Sequence, residues 1–205
     1  IEDIDHTRCR QEHIDSLISD MAWLGIKFEP KPRTQSQHID FYERILSSLA
    51  SRNLIYRCRC TRRELLRDGS VPKDPKGQPL YSGICRHSPP PPRVNVAWRL
   101  DMAKAISVVG KPIYMRESGQ TLQIDPAAWG DVVLARKDLG TSYHLSVVAD
   151  DALQGVTDIV RGEELLGVTA IHRLLQELLG YPAPRYHHHQ HIKTADGRKL
   201  SKSAG

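Results

Sequence analysis

Short apolar runs alternate with helical patterns in the second half of the chain, and this alternation constrains the fold more than any other feature. Runs rich in branched residues and bounded by Gly or Pro predict strands at residues 94–100, 121–124, 132–136 and 156–160. The last run is short and rich in apolar residues, which is typical of a strand buried in a parallel sheet. A strong helical pattern covers residues 165–179 and ends at Gly180, whereas residues 142–149 fit either a helix or a strand. Strands that alternate with helices predict an α/β sheet.

Two amphipathic helices are predicted in the first half of the chain. Apolar residues recur every three or four positions over residues 10–24, which Gly25 terminates, and again over residues 39–50. We expect both helices to pack their apolar stripes into the core. A short extended segment follows at residues 54–57.

Residues 58–92 are predicted to form a small insertion without a hydrophobic core of its own, so another interaction must hold it together. Thr61 and Glu64 form a capping box that opens a short helix through Leu66. Turn-forming residues follow, and the polyproline stretch at residues 89–92 is incompatible with a helix.

Composition limits the class of protein. The 205 residues are 40% hydrophobic and 26% charged, without a long biased tract, which argues against a disordered or fibrous chain and against a membrane-spanning one. The net charge of +5 is compatible with an anionic partner such as RNA or a nucleotide.

Four cysteines are too few for a small disulfide-rich secreted domain, so we expect reduced thiols in the cytoplasm. A run of five arginines either forms a solvated basic face, contacts phosphate or neutralises a thiolate-rich metal site: Arg57, Arg59, Arg62, Arg63 and Arg67.

Two close pairs of metal-binding residues bracket the insertion. Cys58 and Cys60 form the first pair, and Cys85 and His87 form the second. Four such ligands complete a tetrahedral Zn²⁺ site, and the bound ion would stabilise a segment that lacks a hydrophobic core. The fourth ligand is open: a neutral imidazole is ready to coordinate at pH 7, whereas the phenol of Tyr81 must first lose a proton. The alternative is that the thiols are incidental.

A lysine-rich segment, Lys199-Leu200-Ser201-Lys202-Ser203, lies near the end of the chain. It is not a Walker loop, because no second glycine precedes the lysine at the required spacing. Lysines with small hydroxyl residues suit a loop that closes over a triphosphate and offsets charge on leaving pyrophosphate. Taken alone, the segment is better explained as a solvated terminal loop.

Three further groups have both a functional and a structural interpretation. Residues 1–5 alternate apolar and acidic side chains at what would be the carboxyl end of a strand, where Glu2 could hold an ammonium group. Arg161 directly follows an apolar run, where it could clamp a carboxylate bidentately or simply be exposed. A histidine cluster is a weak metal candidate, because consecutive residues on an extended segment face alternate sides: His187, His188, His189 and His191.

In their order and spacing, these residues resemble the glutamate-specific class I aminoacyl-tRNA synthetases. The resemblance is carried by Ile1-Glu2-Asp3-Ile4-Asp5-x-Thr7-Arg8, Tyr56-x-Cys58-x-Cys60-Thr61-Arg62, Tyr81-x-Gly83-x-Cys85, Tyr143-x-Leu145-x-Val147-Val148-x-Asp150-Asp151, Gly155-Val156-Thr157-x-Ile159-Val160-Arg161-Gly162 and Lys199-Leu200-Ser201-Lys202-Ser203. The tyrosine and cysteine of the third motif, and Asp150-Asp151-x-Leu153-Gln154-Gly155-Val156-Thr157, favour the short paralogues of this family, which lack an anticodon-binding domain.

The resemblance implies a two-step reaction. ATP, with Mg²⁺, activates glutamate to glutamyl-adenylate, and the glutamyl group passes to tRNA. In the short paralogues the acceptor is the queuosine base of tRNA(Asp), and in the ordinary synthetases it is the terminal adenosine. The alternatives are therefore an ordinary glutamyl-tRNA synthetase and, in another class, a zinc-stabilised RNA-binding module without chemistry.

The resemblance also implies roles for individual residues. Glu2 would hold the substrate ammonium, and Tyr143 and Arg161 would line the glutamate pocket, with Arg161 pairing a carboxylate. Lys202 would be the catalytic lysine on the ATP phosphates. The paralogue pattern gives Cys58, Cys60, Tyr81 and Cys85 as structural Zn²⁺ ligands, with His87 as the alternative to Tyr81.

The expected architecture is a Rossmann-type class I catalytic domain with a zinc-binding insertion. We assign residues 1–56 to the first part of the catalytic domain, 57–92 to the insertion, and 93–205 to the remaining acceptor-end insertion and the second part of the catalytic domain. The family's first strand, its Pro-Ser-Pro-x-Gly loop and its HIGH-type motif would precede Ile1, so we expect an N-terminally truncated and inactive piece of a monomeric, cytoplasmic enzyme.

Overall fold

Two small sheets organise the chain. The structure is a computed structural model and describes residues 1–27, 31–61, 64, 72–191 and 193. The helices in these residues are α1 (Gln11–Trp23), α2 (Ile39–Ser51), α3 (Ile84–His87), α4 (Met102–Val109), α5 (Tyr143–Leu153) and α6 (Thr169–Leu179). The strands are β1 (Ile55–Cys58), β2 (Ala97–Leu100), β3 (Ile113–Glu117), β4 (Gln120–Ile124), β5 (Val133–Ala135), β6 (Asp158–Gly162) and β7 (Arg185–His189).

The first sheet is antiparallel and has the order β1-β2-β5. Ile55 pairs with Leu100 and Cys58 pairs with Ala97, so the chain leaves the sheet at Cys58 and returns beside it at Ala97. The segment between β1 and β2 is therefore a long excursion from one antiparallel ladder. The expected domain boundaries at residues 56/57 and 92/93 stay a prediction.

The second sheet has the order β4-β3-β7-β6, in which β7 runs parallel to both β3 and β6 and β4 runs antiparallel to β3. The parallel pairing of β6 agrees with the sequence pattern. The expected burial of this strand is wrong, because β6 is the edge of the described sheet and Val160 is 71% exposed. An apolar run alone does not distinguish a central strand from an edge strand.

Helix α6 forms much of the core beneath the second sheet. Nine of its eleven residues are buried, and Gly180 ends it in the left-handed region at φ 69°. The helix begins at Thr169 rather than at residue 165, because Glu163–Leu165 forms a separate 3₁₀ turn. Residues 142–149, which fitted either element, belong to helix α5.

The two N-terminal helices differ in burial. Helix α2 buries Tyr42, Ile45, Leu46 and Leu49, which confirms the expected core packing. Helix α1 forms over the predicted residues but buries none of them, so the expectation of core packing is wrong for this helix in the described chain. An apolar stripe shows which face of a helix is available for burial and not what covers it.

Residues 1–5 do not form a strand, which corrects the expected strand end at Glu2. Two backbone hydrogen bonds hold the segment beside residues 33–35: the Ile1 amine donates to the Arg33 carbonyl, and the Gln35 amide donates to the Ile1 carbonyl at 3.0 Å. The predicted capping box is present in its side chains, since the Thr61 amide donates to Glu64 Oε2 at 2.7 Å. The helix that it would open lies mostly outside the described residues.

Candidate functional site

Three cysteine thiols and one tyrosine hydroxyl meet at the end of β1. The sulfurs of Cys58, Cys60 and Cys85 all lie within 4.8 Å of one another. The hydroxyl oxygen of Tyr81 lies 3.5 Å from Cys58 Sγ and 3.6 Å from Cys60 Sγ. Ligands on a tetrahedral Zn²⁺ with Zn–S bonds of about 2.3 Å are separated by about 3.8 Å, so these four donors fit such an ion. His87 is exposed at the end of α3 and does not belong to the cluster.

One buried arginine supplies positive charge to this cluster. Arg99 donates from Nε to Cys58 Sγ at 3.3 Å, and its guanidinium lies 4.0 Å from the centre of the Tyr81 ring. The arginine run in the sequence was expected to have this role, but Arg57 instead donates to the carbonyls of Pro92 and Val94. Arg62, Arg63 and Arg67 lie outside the described residues.

The protein environment gives the thiols of Cys60 and Cys85 different pKa values. Burial raises the pKa of Cys60 to about 11. Burial acts in the same direction on Cys85, but hydrogen bonds from Tyr81 and from the backbone of Arg59 outweigh it and lower the pKa of Cys85 to about 7. Cys85 is therefore the thiol that is ready to bind a cation near neutral pH.

A second site is a cavity of about 400 Å³ at the carboxyl end of β6. Glu2, Tyr143 and Arg161, which are far apart in the sequence, all line it. Asp151 of α5 lies in the same wall, and sequence analysis did not single it out as a site residue. The cavity therefore combines two carboxylates, one phenol and one guanidinium.

The carboxylates of this cavity bind protons more readily than exposed ones. Burial raises the pKa of Glu2, and Arg161 opposes that effect. Burial, together with the charges of Glu2 and Asp150, raises the pKa of Asp151 to about 6. Burial also raises the pKa of Tyr143. A cationic group between Glu2 and Asp151 would relieve this repulsion.

The guanidinium of Arg161 donates hydrogen bonds from all three of its nitrogens. Nε donates to His188 Nε2 at 3.0 Å, Nη1 bonds to His172 Nδ1 at 3.0 Å, and Nη2 donates to Thr169 Oγ1 at 2.6 Å. The fork is thus already shared with the protein, which does not match the bidentate carboxylate clamp suggested by the sequence. Nη2 also donates to the Leu165 carbonyl at 3.3 Å, so the second N–H of Nη1 is the one left for a ligand.

The histidine cluster separates into inward and outward side chains, as the strand period predicts. His188 is buried and bonds through Nδ1 to Glu117 Oε2 at 2.7 Å, whereas His187 is exposed and lies 3.2 Å from Asp158. Neither belongs to a metal-capable group within the described residues. His172 and His144 extend the inward set, and no sequence signal marked either of them.

The predicted signature loop, Lys199-Leu200-Ser201-Lys202-Ser203, lies outside the described residues. The role expected for Lys202 stays a prediction.

The fold and these sites define a class I tRNA synthetase. The family of class I (E and Q) tRNA synthetase catalytic domains matches residues 1–205, and the chain belongs to it. It is 41% identical to the glutamyl-Q tRNA(Asp) synthetase of Rhodobacter capsulatus, over 98% of this chain and 77% of that protein. It is 33% identical to the glutamate–tRNA ligase of Oleidesulfovibrio alaskensis, over 100% of this chain and 43% of that protein.

Solved structures agree on the fold. A glutamate tRNA ligase from Elizabethkingia meningosepticum, in complex with its amino acid, superposes with a TM-score of 0.77 at 23% identity. The superposition covers 99% of this chain and 44% of that one. In the described part of the chain, no helix is long and apolar enough to cross a membrane.

Proposed function

We propose that this chain forms part of an enzyme that activates glutamate with ATP and transfers it to the queuosine base of tRNA(Asp). The observation that carries the proposal is the cavity lined by Glu2, Tyr143, Asp151 and Arg161 in a chain of the E and Q family. The ammonium of glutamate complements the two acidic side chains of the cavity, and one of its two carboxylates complements the guanidinium. The higher identity to a glutamyl-Q tRNA(Asp) synthetase than to a glutamate–tRNA ligase supports this acceptor.

Each residue has a role in the proposed reaction. Glu2 holds the substrate ammonium, Tyr143 lines the pocket, and Arg161 pairs a carboxylate. A carboxylate oxygen of glutamate attacks the α-phosphorus of ATP, and the bond to the β-phosphate breaks to release pyrophosphate. Lys202, with Mg²⁺ bound to the ATP, would offset the charge on that leaving group. Queuosine then attacks the acyl carbon and AMP leaves.

We further propose that Cys58, Cys60, Cys85 and Tyr81 bind one structural Zn²⁺. The proximity of the Tyr81 hydroxyl to two thiols supports it as the fourth ligand over His87. The ion would hold together the segment between β1 and β2, which has little hydrophobic core of its own. A cytoplasmic location and a monomeric state stay predictions.

The activation step is tested by glutamate-dependent exchange of pyrophosphate into ATP, measured on the full-length natural protein without tRNA. We expect exchange with glutamate and none with aspartate. Loss of the exchange in Glu2→Gln would support the assigned site. Absence of exchange with every amino acid would favour an RNA-binding module, and exchange that requires tRNA would favour an ordinary glutamyl-tRNA synthetase.

A further inference from the structure

The hydrogen bonds around Arg161 fix the tautomers of two buried histidines. A guanidinium has only donors, so the ring nitrogens that face it must accept. His188 Nε2 and His172 Nδ1 therefore carry no proton. The proton of His188 is then on Nδ1, where it is donated to Glu117. That of His172 is on Nε2, where it is donated to His144 Nδ1 at 3.1 Å.

Burial keeps the rings of His172 and its neighbour His144 neutral. His172 is 1% exposed, and burial lowers its pKa well below the ordinary value, with the charges of its neighbours acting in the same direction. Burial lowers the pKa of His144 to about 4. A proton on the facing nitrogen of His172 or His188 would remove an acceptor and place a second cation against Arg161.

These bonds compete with the carboxylates of the cavity. Glu2 and Asp151 line the same space as Arg161, and an unrestrained guanidinium would be drawn toward them. The nitrogens are instead engaged by His188, His172 and Thr169, on the side of β7 and α6. A fourth bond runs from Nη2 to the Leu165 carbonyl, so of the five N–H groups in the planar fork one, on Nη1, is left for a ligand.

We infer that His188 and His172 are positioning residues that act through Arg161: as neutral hydrogen-bond acceptors they hold its guanidinium at the cavity wall and keep it available to a substrate carboxylate. This inference rests on the proposed function for the identity of the substrate as glutamate. Glu117 and His144 complete the arrangement by accepting the opposite protons of the two rings.

Substitution of His188 and His172 by Asn or Gln tests the inference, because the expected effects of the two amides are opposite at the two positions. The amide of Gln reaches the place of a histidine Nε2, and that of Asn reaches the place of Nδ1. At position 188 the acceptor for Arg161 is therefore kept by Gln and lost in Asn, whereas at position 172 it is kept by Asn and lost in Gln.

The readout is the KM for glutamate and for ATP in pyrophosphate exchange by the full-length protein. We expect His188→Asn and His172→Gln to raise the KM for glutamate about tenfold above His188→Gln and His172→Asn respectively, because a hydrogen bond to a charged group is lost. The KM for ATP should change by less than about twofold. His187→Gln is the control, since His187 is exposed and bonds to Asp158. Equal effects of Asn and Gln at each position would overturn the inference.

A second measurement is independent of activity. Nitrogen-15 NMR of the histidine rings at pH 7 should show His188 protonated on Nδ1 and His172 protonated on Nε2, both neutral. A cationic ring or the opposite tautomer at either position would contradict the inference. If the wild-type protein does not exchange glutamate, the proposed function fails and the tautomers still decide whether these rings hold Arg161.

Discussion

Two consecutive aspartates of α5 have opposite environments. Asp150 is buried, accepts from Arg33 Nε at 2.8 Å and accepts from the Tyr42 hydroxyl at 2.7 Å. Asp151 faces the cavity together with Glu2. One helical position rotates a side chain by about 100°, which is enough to give one carboxylate a structural role and the other a place in a binding site.

The raised pKa of Asp151 leads to a prediction about substrate binding. Because its pKa is about 6, Asp151 is ionised at pH 7.5 and largely protonated at pH 5. Protonation removes a partner for the substrate ammonium, so the KM for glutamate should rise as the pH falls across this range. Asp151→Asn should raise the KM about tenfold at pH 7.5 and flatten the profile. An unchanged KM in this variant would exclude Asp151 from the site.

The thiol cluster leads to a prediction about metal content. Cys60→Ser should lose most of the bound zinc and lower the melting temperature, because a structural ion contributes directly to folding. Zinc is measured by atomic absorption on purified protein. Cys9→Ser is the matched control, since Cys9 lies outside the cluster and bonds to the Glu2 carbonyl. One full equivalent of zinc in Cys60→Ser would refute the site.

The fourth ligand is a separate question with its own pair of variants. Tyr81→Phe should weaken zinc retention against a chelator, because it removes the hydroxyl that lies between the thiols. His87→Ala should retain the metal, because His87 is exposed. The opposite order of zinc retention would identify His87 as the ligand.

At the scale of elements, one buried carboxylate ties the first sheet to the helices beside it. Asp131 accepts from the Tyr56 hydroxyl of β1, from the guanidinium of Arg86 in α3 and, at 3.0 Å, from the amide of Met102 at the start of α4. The side chain of Asp131 is only 4% exposed. The carboxylate therefore holds the thiol-bearing excursion against the rest of the chain.

Removing this carboxylate should be costly. Asp131→Ala removes a buried acceptor from the half-buried Arg86 and Tyr56 and from the Met102 amide, and we expect it to lower the free energy of unfolding by about 3 kcal/mol in urea titrations. Asp138→Ala is the control, because Asp138 pairs with Arg136 at the surface and should change stability by less than about 1 kcal/mol. Similar losses in the two variants would show that Asp131 has no special structural role.

The sequence predicted most of the helices and strands but not which of them are buried. It identified α1, α2, α6 and β6 because apolar spacing and terminating glycines are local signals. It assigned nothing to α4, although Asp101 accepts from the Lys104 amide at its start and Gly110 ends it in the left-handed region. The exposure of α1 and β6 was missed for another reason, since burial depends on which segments pack together.

At the scale of the whole molecule, the candidate site joins parts of the chain that local patterns do not connect. The family resemblance named Glu2, Tyr143 and Arg161, which line one cavity. The sequence pointed to no role for His172 and only to a weak metal role for His188, because their contact with Arg161 depends on which ring nitrogen faces it. That relation exists only after β6, β7 and α6 have packed together.

The buried histidines also make global stability depend on pH. His144 has a folded-state pKa of about 4, so between pH 6.5 and 4 the unfolded chain takes up a proton that the folded chain excludes. We therefore expect the contribution of His144 to stability to fall by up to about 3 kcal/mol as the pH falls through this interval. Asp151 acts in the opposite direction, because its raised pKa favours the folded state at low pH.

The contribution of His144 can be isolated by comparison with His144→Asn, which keeps an acceptor near the Nδ1 position and does not titrate. The free energy of unfolding should fall more steeply in the wild type than in this variant between pH 6.5 and 4. The effect of Asp151 is common to both proteins and cancels in the difference. Parallel curves would show that His144 is not buried in its neutral form.

The central claim is that the enzyme transfers glutamate to the queuosine base of tRNA(Asp), and transfer of labelled glutamate by the full-length protein tests it most directly. Labelled tRNA(Asp) should form only when the tRNA contains queuosine, and the label should survive oxidation and removal of the terminal adenosine. Equal labelling of tRNA(Glu), with loss of the label when that adenosine is removed, would contradict the account and identify an ordinary glutamyl-tRNA synthetase.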